Sequence, residues 1–266
     1  MKTFKLQHTS ASLIVPELRG SLGAMTYPAF GEVKYDGEFT HIVYQNKKIC
    51  TVNKYNKCRL DFTELNEIRD ELTCTSAIML AELFWSDGKR NALYDLNSNK
   101  ESDSLRLAIF DITECDGVDL TKQPLIDRKE KLHEILPKHC MLPKVLSGKF
   151  EVGQFFNWAV NEGYEGVVIK ALDSHINNGP CSWVKIKMKD QNDYVVKLID
   201  PTLERIEIEV PTLAVGLARW VRVGVKAPLR YKRHIKLGDV VTIEHQGVLD
   251  SGSLRHPVLI PKKEWK

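Results

Sequence analysis

The sequence has no Cys-x-x-Cys pair, no low-complexity tract, no apolar run long enough to cross a bilayer, and a formal net charge of only +3. Its cysteines, at positions 50, 58, 74, 115, 140 and 181, are spaced too widely for a local zinc clamp and fit free thiols in a reducing cytosol. The longest apolar stretches, such as 77–83 with Glu82 inside it, fall far short of the roughly 20 residues that span a membrane, so no membrane partner is expected. Lys2 and Lys5 are followed by no continuous apolar segment and no small-residue cleavage site. A cytoplasmic protein is expected.

What is present is an ordinary globular composition: 266 residues, 43 % hydrophobic and 27 % charged, enough for one large domain or a medium domain with a small one. Charge is informative by place. Residues 200–266 hold 12 basic and 8 acidic side chains, which leaves −1 for everything before them. Within that segment Arg219, Arg222, Lys226, Arg230, Lys232, Arg233 and Lys236 follow one another without an acid, with Trp220 and Tyr231 among them. Such a stretch reads as a surface facing a polyanion or as a solvated hairpin with basic tips.

Phe62, Leu65, Ile68 and Leu72 share one helical face, with Asp61 and Glu64 spaced as a capping box. A second helix is expected over about 126–136 and a third over about 152–161, stopping at Gly163. After about residue 190 helical periodicity disappears, and five short strands are expected over 194–199, 205–210, 215–225, 240–244 and 254–260. Five strands with basic and aromatic faces point to a small closed barrel of the oligonucleotide-binding (OB) type. The expected organisation is an α+β domain over 1–189 followed by a barrel over 190–266.

Four segments carry chemistry. In Glu32-Val-Lys34-Tyr-Asp36-Gly37, Asp-Gly is a tight-turn signal between two strand-like runs, which predicts a hairpin with Lys34 at the end of its first strand. Glu82 interrupts an apolar segment, where a carboxylate is costly to bury unless a cation or hydrogen-bond donor meets it. Glu165-Gly-Val-Val-Ile-Lys170 is a short buried-strand pattern bracketed by opposite charges, with a glycine that lets another group come close. In Trp183-Val-Lys185-Ile-Lys187-Met-Lys189, period-two alternation puts Lys185 and Lys187 on one face with Lys189 in line, a crowding that an anion would relieve.

Taken in order, Lys34-x-Asp-Gly, Ala81-Glu82-Leu83, Phe110-Asp111-Ile112, Glu165 to Lys170 and Trp183-x-Lys185-x-Lys187 resemble the nucleotidyltransferase motifs of ATP-dependent DNA ligases. Gly247-Val-Leu-Asp-Ser-Gly-Ser-Leu-Arg255-His-Pro257 is similar to the family's last motif, so the likeness covers essentially the whole chain. It implies a minimal two-domain form: an ATP-grasp-like nucleotidyltransferase domain of antiparallel sheets with flanking helices, then an OB-fold barrel. It further implies that Lys34 attacks the α-phosphate of ATP to give lysyl-AMP, that the AMP passes to the 5′-phosphate of nicked duplex DNA, and that the 3′-hydroxyl displaces it.

The same resemblance distributes roles. Lys185, Lys187 and Mg²⁺ (or Mn²⁺) would ease formation of a neutral Lys34 amine and offset charge on the phosphate. Glu32 would read the adenine amino group, Phe110 would stack on the ring, and Glu82 would hold the ribose hydroxyls. Glu165 and Asp36 would place the metal, and Arg255, helped by Lys263, would orient the pyrophosphate. Lys54, Arg219, Arg222, Arg230, Lys232 and Arg233 would grip DNA phosphates, and a monomer suffices.

Three positions depart from the family pattern: Phe39 and Lys54 stand where arginine is common, and the chain closes as Pro261-Lys-Lys-Glu-Trp-Lys266 in place of an Arg-x-Asp-Lys-like tail. RNA ligases and mRNA-capping guanylyltransferases share the lysine-centred motifs. An inert nucleic-acid-binding module is a remote alternative.

Overall fold

The structure, a computed structural model, describes residues 9–13, 22, 25–59, 61–86, 104–176, 183–214, 217–249, 251–262 and 264, without the side chains of 9–13 and 212–220. The chain divides into two compact units, 1–187 and 188–266.

The first unit begins with β1 (Thr9–Leu13), β2 (Ala29–Lys34), β3 (Glu38–Gln45), β4 (Lys48–Asn53), β5 (Cys58–Arg59) and helix α1 (Thr63–Glu71). It continues with β6 (Ser76–Trp85), β7 (Leu105–Cys115), β8 (Val118–Asp119), α2 (Leu125–Ile135), β9 (Lys144–Leu146), α3 (Lys149–Asn161), β10 (Gly166–Ala171) and β11 (Trp183–Met188). These strands make a six-stranded sheet, β5-β4-β3-β6-β7-β8, and a five-stranded sheet, β1-β11-β10-β2-β9.

Each sheet buries one face under helices. Leu65 and Ile68 of α1, with Leu132 and Ile135 of α2, pack on Ile42, Met79, Ala81, Leu83, Ile109 and Ile112 of the six-stranded sheet. The aromatic and aliphatic side of α3, Val152, Phe155, Phe156 and Ala159, packs on Ala29, Val167, Ile169, Val184 and Ile186 of the other sheet. Each fully buried Val, Leu, Ile, Phe or Met side chain among them contributes about 1.5–3 kcal/mol relative to leaving it in water. Because side chains alternate along a strand, the residues between these positions must point the opposite way, and that is where the charged residues lie.

The helices stand within a few residues of their expected places, but the capping box does not form. Phe62 is the N-cap and makes no side-chain cap bond. Glu64 instead accepts the Leu107 N–H at 2.7 Å, and Asp61 accepts from Asn66 at 2.9 Å. Gly163 does end the third helix, with φ +87°, the left-handed conformation that favours glycine there.

The Asp-Gly hairpin is overturned in a way that matters for chemistry. β2 and β3 do not pair; they belong to different sheets, and Tyr35-Asp36-Gly37 is a crossover between them. Gly37 passes so close to β6 that a Cβ there would lie 2.3 Å from the Leu83 carbonyl oxygen. Turn residues report a sharp reversal of the chain, not the partner of the next strand, which is chosen by long-range packing.

The second unit is a closed barrel, β12-β13-β14-β16-β15, of β12 (Asp190–Ile199), β13 (Arg205–Ala214), β14 (Leu217–Lys226), β15 (Val240–His245) and β16 (Val258–Leu259), with a short helix α4 (Leu229–Lys232). Its core is aliphatic: Val196, Ile206, Ile208, Val223, Val225, Val241 and Ile243 point inward at every second position. A five-stranded closed barrel is consistent with the OB fold. No described helix is long and apolar enough to cross a membrane.

Candidate active site

The open face of the five-stranded sheet is a three-by-three grid. Antiparallel pairing of β2, β10 and β11 sets Lys34, Gly166 and Lys187 in one row, Glu32, Val168 and Lys185 in the next, and Phe30, Lys170 and Trp183 in the third. Gly166 leaves a gap in the first row between two lysines. Its φ of +152° and the 2.0 Å that would separate a Cβ from the Ile186 carbonyl oxygen exclude any other residue. The carboxylate of Glu165, one residue earlier, fills the gap and bridges Lys34 and Lys187. Burial opposes the charge on Glu165, but Lys34 and Lys187 outweigh it and hold its carboxyl below the ordinary range.

The six-stranded sheet supplies Glu82 from β6 and Phe110 from β7. Glu82 accepts the Gly37 N–H at 3.1 Å, so the crossover that carries Lys34 is tied to this carboxylate. Burial pushes Glu82 up to about 7, against the pull of Lys34 and Lys185. Burial, and then Lys34 beside it, bring Lys185 down to about 8. Phe110 is the extra residue of a bulge: Leu80 pairs with Asp111 and Ala81 with Ile109, leaving Phe110 without an opposite number. A bulge re-aims a side chain, and the half-buried ring meets Lys170 at 4.6 Å and Trp183 edge-on at 6.1 Å. Phe39, on β3 opposite Glu82, lies 6.3 Å from Phe110. Asp36 is half-buried within the crossover.

Glu32 stands differently from the rest. It is 3 % exposed and its carboxylate is shared between Lys170 of β10 and Lys129 of α2. Burial would raise its carboxyl; Lys129 and Lys170 together hold it below the ordinary range. Lys170, fully enclosed, is brought down to about 8 chiefly by burial. Sequence reasoning gave Lys170 no role and overlooked Lys129. The signal was there: Arg128 and Lys129 sit among Leu125, Leu132 and Ile135 on the buried side of α2, where a cation must have a partner. Arg128 finds its partner in Asp111, through a doubly bonded pair at 2.9 and 2.8 Å with neither residue exposed.

β11 ends at Met188, and Lys189, which belongs to the second unit, pairs with Glu244 of the barrel at 2.5 Å. Lys54 lies in the exposed turn after β4, its ammonium 4.9 Å from the Tyr55 ring. Within the barrel unit, Arg222 is exposed beside Arg205 and Lys226 in a cleft of about 520 Å³. Arg230 lies over Tyr231, and Arg233 is exposed against His234. Lys232 does not share that surface: it is buried, and its ammonium donates to the carbonyls of Asp200 and Leu203. Arg255 is half-buried, with its backbone paired to Gln246 and Gly247. The side chains of Arg219 and Trp220, and all of Lys263 and Cys181, lie outside the described residues. The five described cysteines are free.

A family model described as the ATP dependent DNA ligase domain matches residues 17–189. The curated DNA ligase of Pyrobaculum islandicum is 29 % identical over 213 residues, 72 % of this chain and 34 % of that protein. That of Ignicoccus hospitalis is 26 % identical over 191 residues, 64 % of this chain and 32 % of the relative. The chain thus spans about a third of the length of the curated relatives it matches. A solved minimal-scaffold Lig E DNA ligase superposes with a TM-score of 0.71 over 98 % of this chain and 99 % of its own, at 14 % identity. A mycobacterial DNA ligase D solved with ATP and MES superposes with a TM-score of 0.56 over 97 % and 95 %, at 18 % identity. The solved structures share the fold, and the family model spans all three strands of the grid. By that match, the chain belongs to the family of ATP-dependent DNA ligase domains.

Proposed function

We propose that this protein is an ATP-dependent DNA ligase that seals 5′-phosphate/3′-hydroxyl nicks in duplex DNA through a lysyl-AMP intermediate. The observation that carries the reading is the first row of the grid: a lysine at a strand end, set against a carboxylate that also holds a second lysine, with more cations in the next rows. In the first step Lys34 loses a proton, its nitrogen bonds to the α-phosphorus of ATP, and the α–β phosphoanhydride bond breaks with its electron pair leaving on pyrophosphate. Glu165, which already accepts a hydrogen bond from Lys34, lies where that proton departs. Lys185 and Lys187 face charge building on the phosphate oxygens, and such positioning and electrostatics make up most of what phosphoryl-type transfer needs.

Phe110 and Val168 offer the purine an aromatic face and an aliphatic one, with Glu32 at its edge and Glu82 for the ribose. The hard oxygens of Glu165 and Asp36 suit Mg²⁺, which is held through one or two carboxylates plus substrate phosphates and would supply further charge neutralisation. In the later steps AMP passes to the 5′-phosphate of the nick and the 3′-hydroxyl releases it. Arg255 acts on the nucleotide, and Lys54, Arg222, Arg230 and Arg233 contact DNA phosphates, a grip that weakens with salt and ignores sequence. A cytoplasmic monomer completes the reading.

Incubation with Mg²⁺ and ATP labelled in the α-phosphate tests it. Covalent label that Lys34→Ala abolishes, and that nicked DNA discharges, is expected. Label from GTP but not from ATP would point to capping chemistry, and label from neither would overturn the proposal.

A further inference from the structure

Helix α2 gives two consecutive buried cations to two different sheets. Arg128 goes to Asp111 of the six-stranded sheet, whereas Lys129, 7 % exposed, goes to Glu32 of the five-stranded sheet and donates to the Met141 carbonyl at 3.1 Å. Glu32 therefore has two lysines where one would neutralise it. The second, Lys170, is also the group lying over the Phe110 ring, 4.6 Å from its centroid. Lys170 thus links the Glu32 carboxylate to the Phe110 and Trp183 rings, lying 4.0 Å from the latter's centroid, and a purine stacked on Phe110 would have an ammonium and, next to it, a carboxylate within reach.

We propose that Lys129 sets base selectivity as a positioning residue: it holds the Glu32 carboxylate charged and oriented, which frees Lys170 to serve an incoming purine. The inference rests on the reading of Lys34 as the adenylated nucleophile and of Glu32 as the group that reads the purine 6-position. Adenine presents an N–H donor at position 6 and an acceptor at N1; a carboxylate and an ammonium answer them in that order. If Lys170 turns toward the base, a carboxylate with no second cation is left buried and uncompensated, which is costly. With Lys129 in place that cost does not arise. With Lys129 removed, Lys170 becomes the sole counter-ion of Glu32 and is withheld from the base.

The test compares adduct formation from ATP and from ITP, whose 6-oxo group offers an acceptor where adenine offers a donor. Wild type, Lys129→Met and Lys129→Arg are assayed, with thermal melting alongside. Lys129→Met should raise the ATP concentration giving half the limiting rate of adduct formation about tenfold or more, with that limiting rate within about threefold, and lower the ATP-to-ITP preference by a similar factor. Lys129→Arg should restore most of both. Should Lys129→Met melt below the assay temperature, Lys129→Gln, which keeps a donor for Met141, carries the same expectation. An unchanged ATP-to-ITP ratio in a folded variant would overturn the proposal and leave Lys129 as a strut of the fold. Absence of any adduct from wild type would overturn the ligase reading along with it, whereas adduct with an unchanged ratio overturns this inference alone.

Discussion

Lys34, Lys170 and Lys187 of the first unit each sit on a strand with a carboxylate against the ammonium, and burial lowers both Lys170 and Lys185 to about 8. Arg222, Arg230 and Arg233 of the barrel are exposed, and none of them has a carboxylate partner among the described residues. The first arrangement costs desolvation and is repaid only if each cation has a fixed place, which suits chemistry at a single phosphorus atom. The second costs little and tolerates motion, which suits a grip on a repeating phosphate backbone.

The contrast can be broken first at Glu165. Glu165→Ala leaves Lys34 and Lys187 facing each other without their shared carboxylate, and adduct formation should fall by about 10²–10³, the scale of losing one well-placed electrostatic group. Single-turnover labelling in the absence of DNA measures it, and a loss under threefold would contradict the role. A smaller effect is expected where the barrel behaves like the first unit. Lys232→Met orphans the Asp200 and Leu203 carbonyls and should cost about 1–3 kcal/mol in urea denaturation, with the salt slope of DNA binding unchanged.

Glu82 sharpens the comparison through pH. Its folded-state carboxyl titrates near 7 against an ordinary 4.5, so between these values the folded protein holds a proton that the unfolded chain has lost. Stability attributable to this group therefore falls as pH rises from 4.5 to 7 and is level above. The stability of Glu82→Gln relative to wild type should rise over the same window, read by urea denaturation at pH 5 and pH 8; a difference independent of pH would contradict the burial of this carboxylate. The smallest effect belongs to Arg222→Ala, which should reduce the salt slope of DNA binding by about one and weaken binding alike for all sequences. A sequence-dependent loss would remove Arg222 from the phosphate grip.

Much of this was legible because the residues concerned are local signals in strand order. Period-two alternation in 183–188 put Lys185 and Lys187 on one face, as the grid bears out, and the apolar setting of Glu82 demanded a donor, found in Gly37. What was not legible depends on pairing across the fold. The Asp-Gly signal is the same for a hairpin as for a crossover, so the transfer of the chain from one sheet to the other could not be read from it. The Glu32 partners come from residues 97 and 138 positions away, at Lys129 and Lys170. Lys232 read as a member of a basic run, and only the turn of α4 shows that it points inward. The Phe110 bulge needs the register of β6 against β7, which no single strand contains.

The central claim is that Lys34 becomes bonded to AMP before any nucleic acid is joined. Peptide mapping by mass spectrometry, on protein incubated with Mg²⁺ and ATP and then split into samples with and without pyrophosphate, tests it most directly. The account predicts an AMP adduct on the peptide containing Lys34 that pyrophosphate reverses. An adduct on any other residue, or none on folded protein, would contradict it.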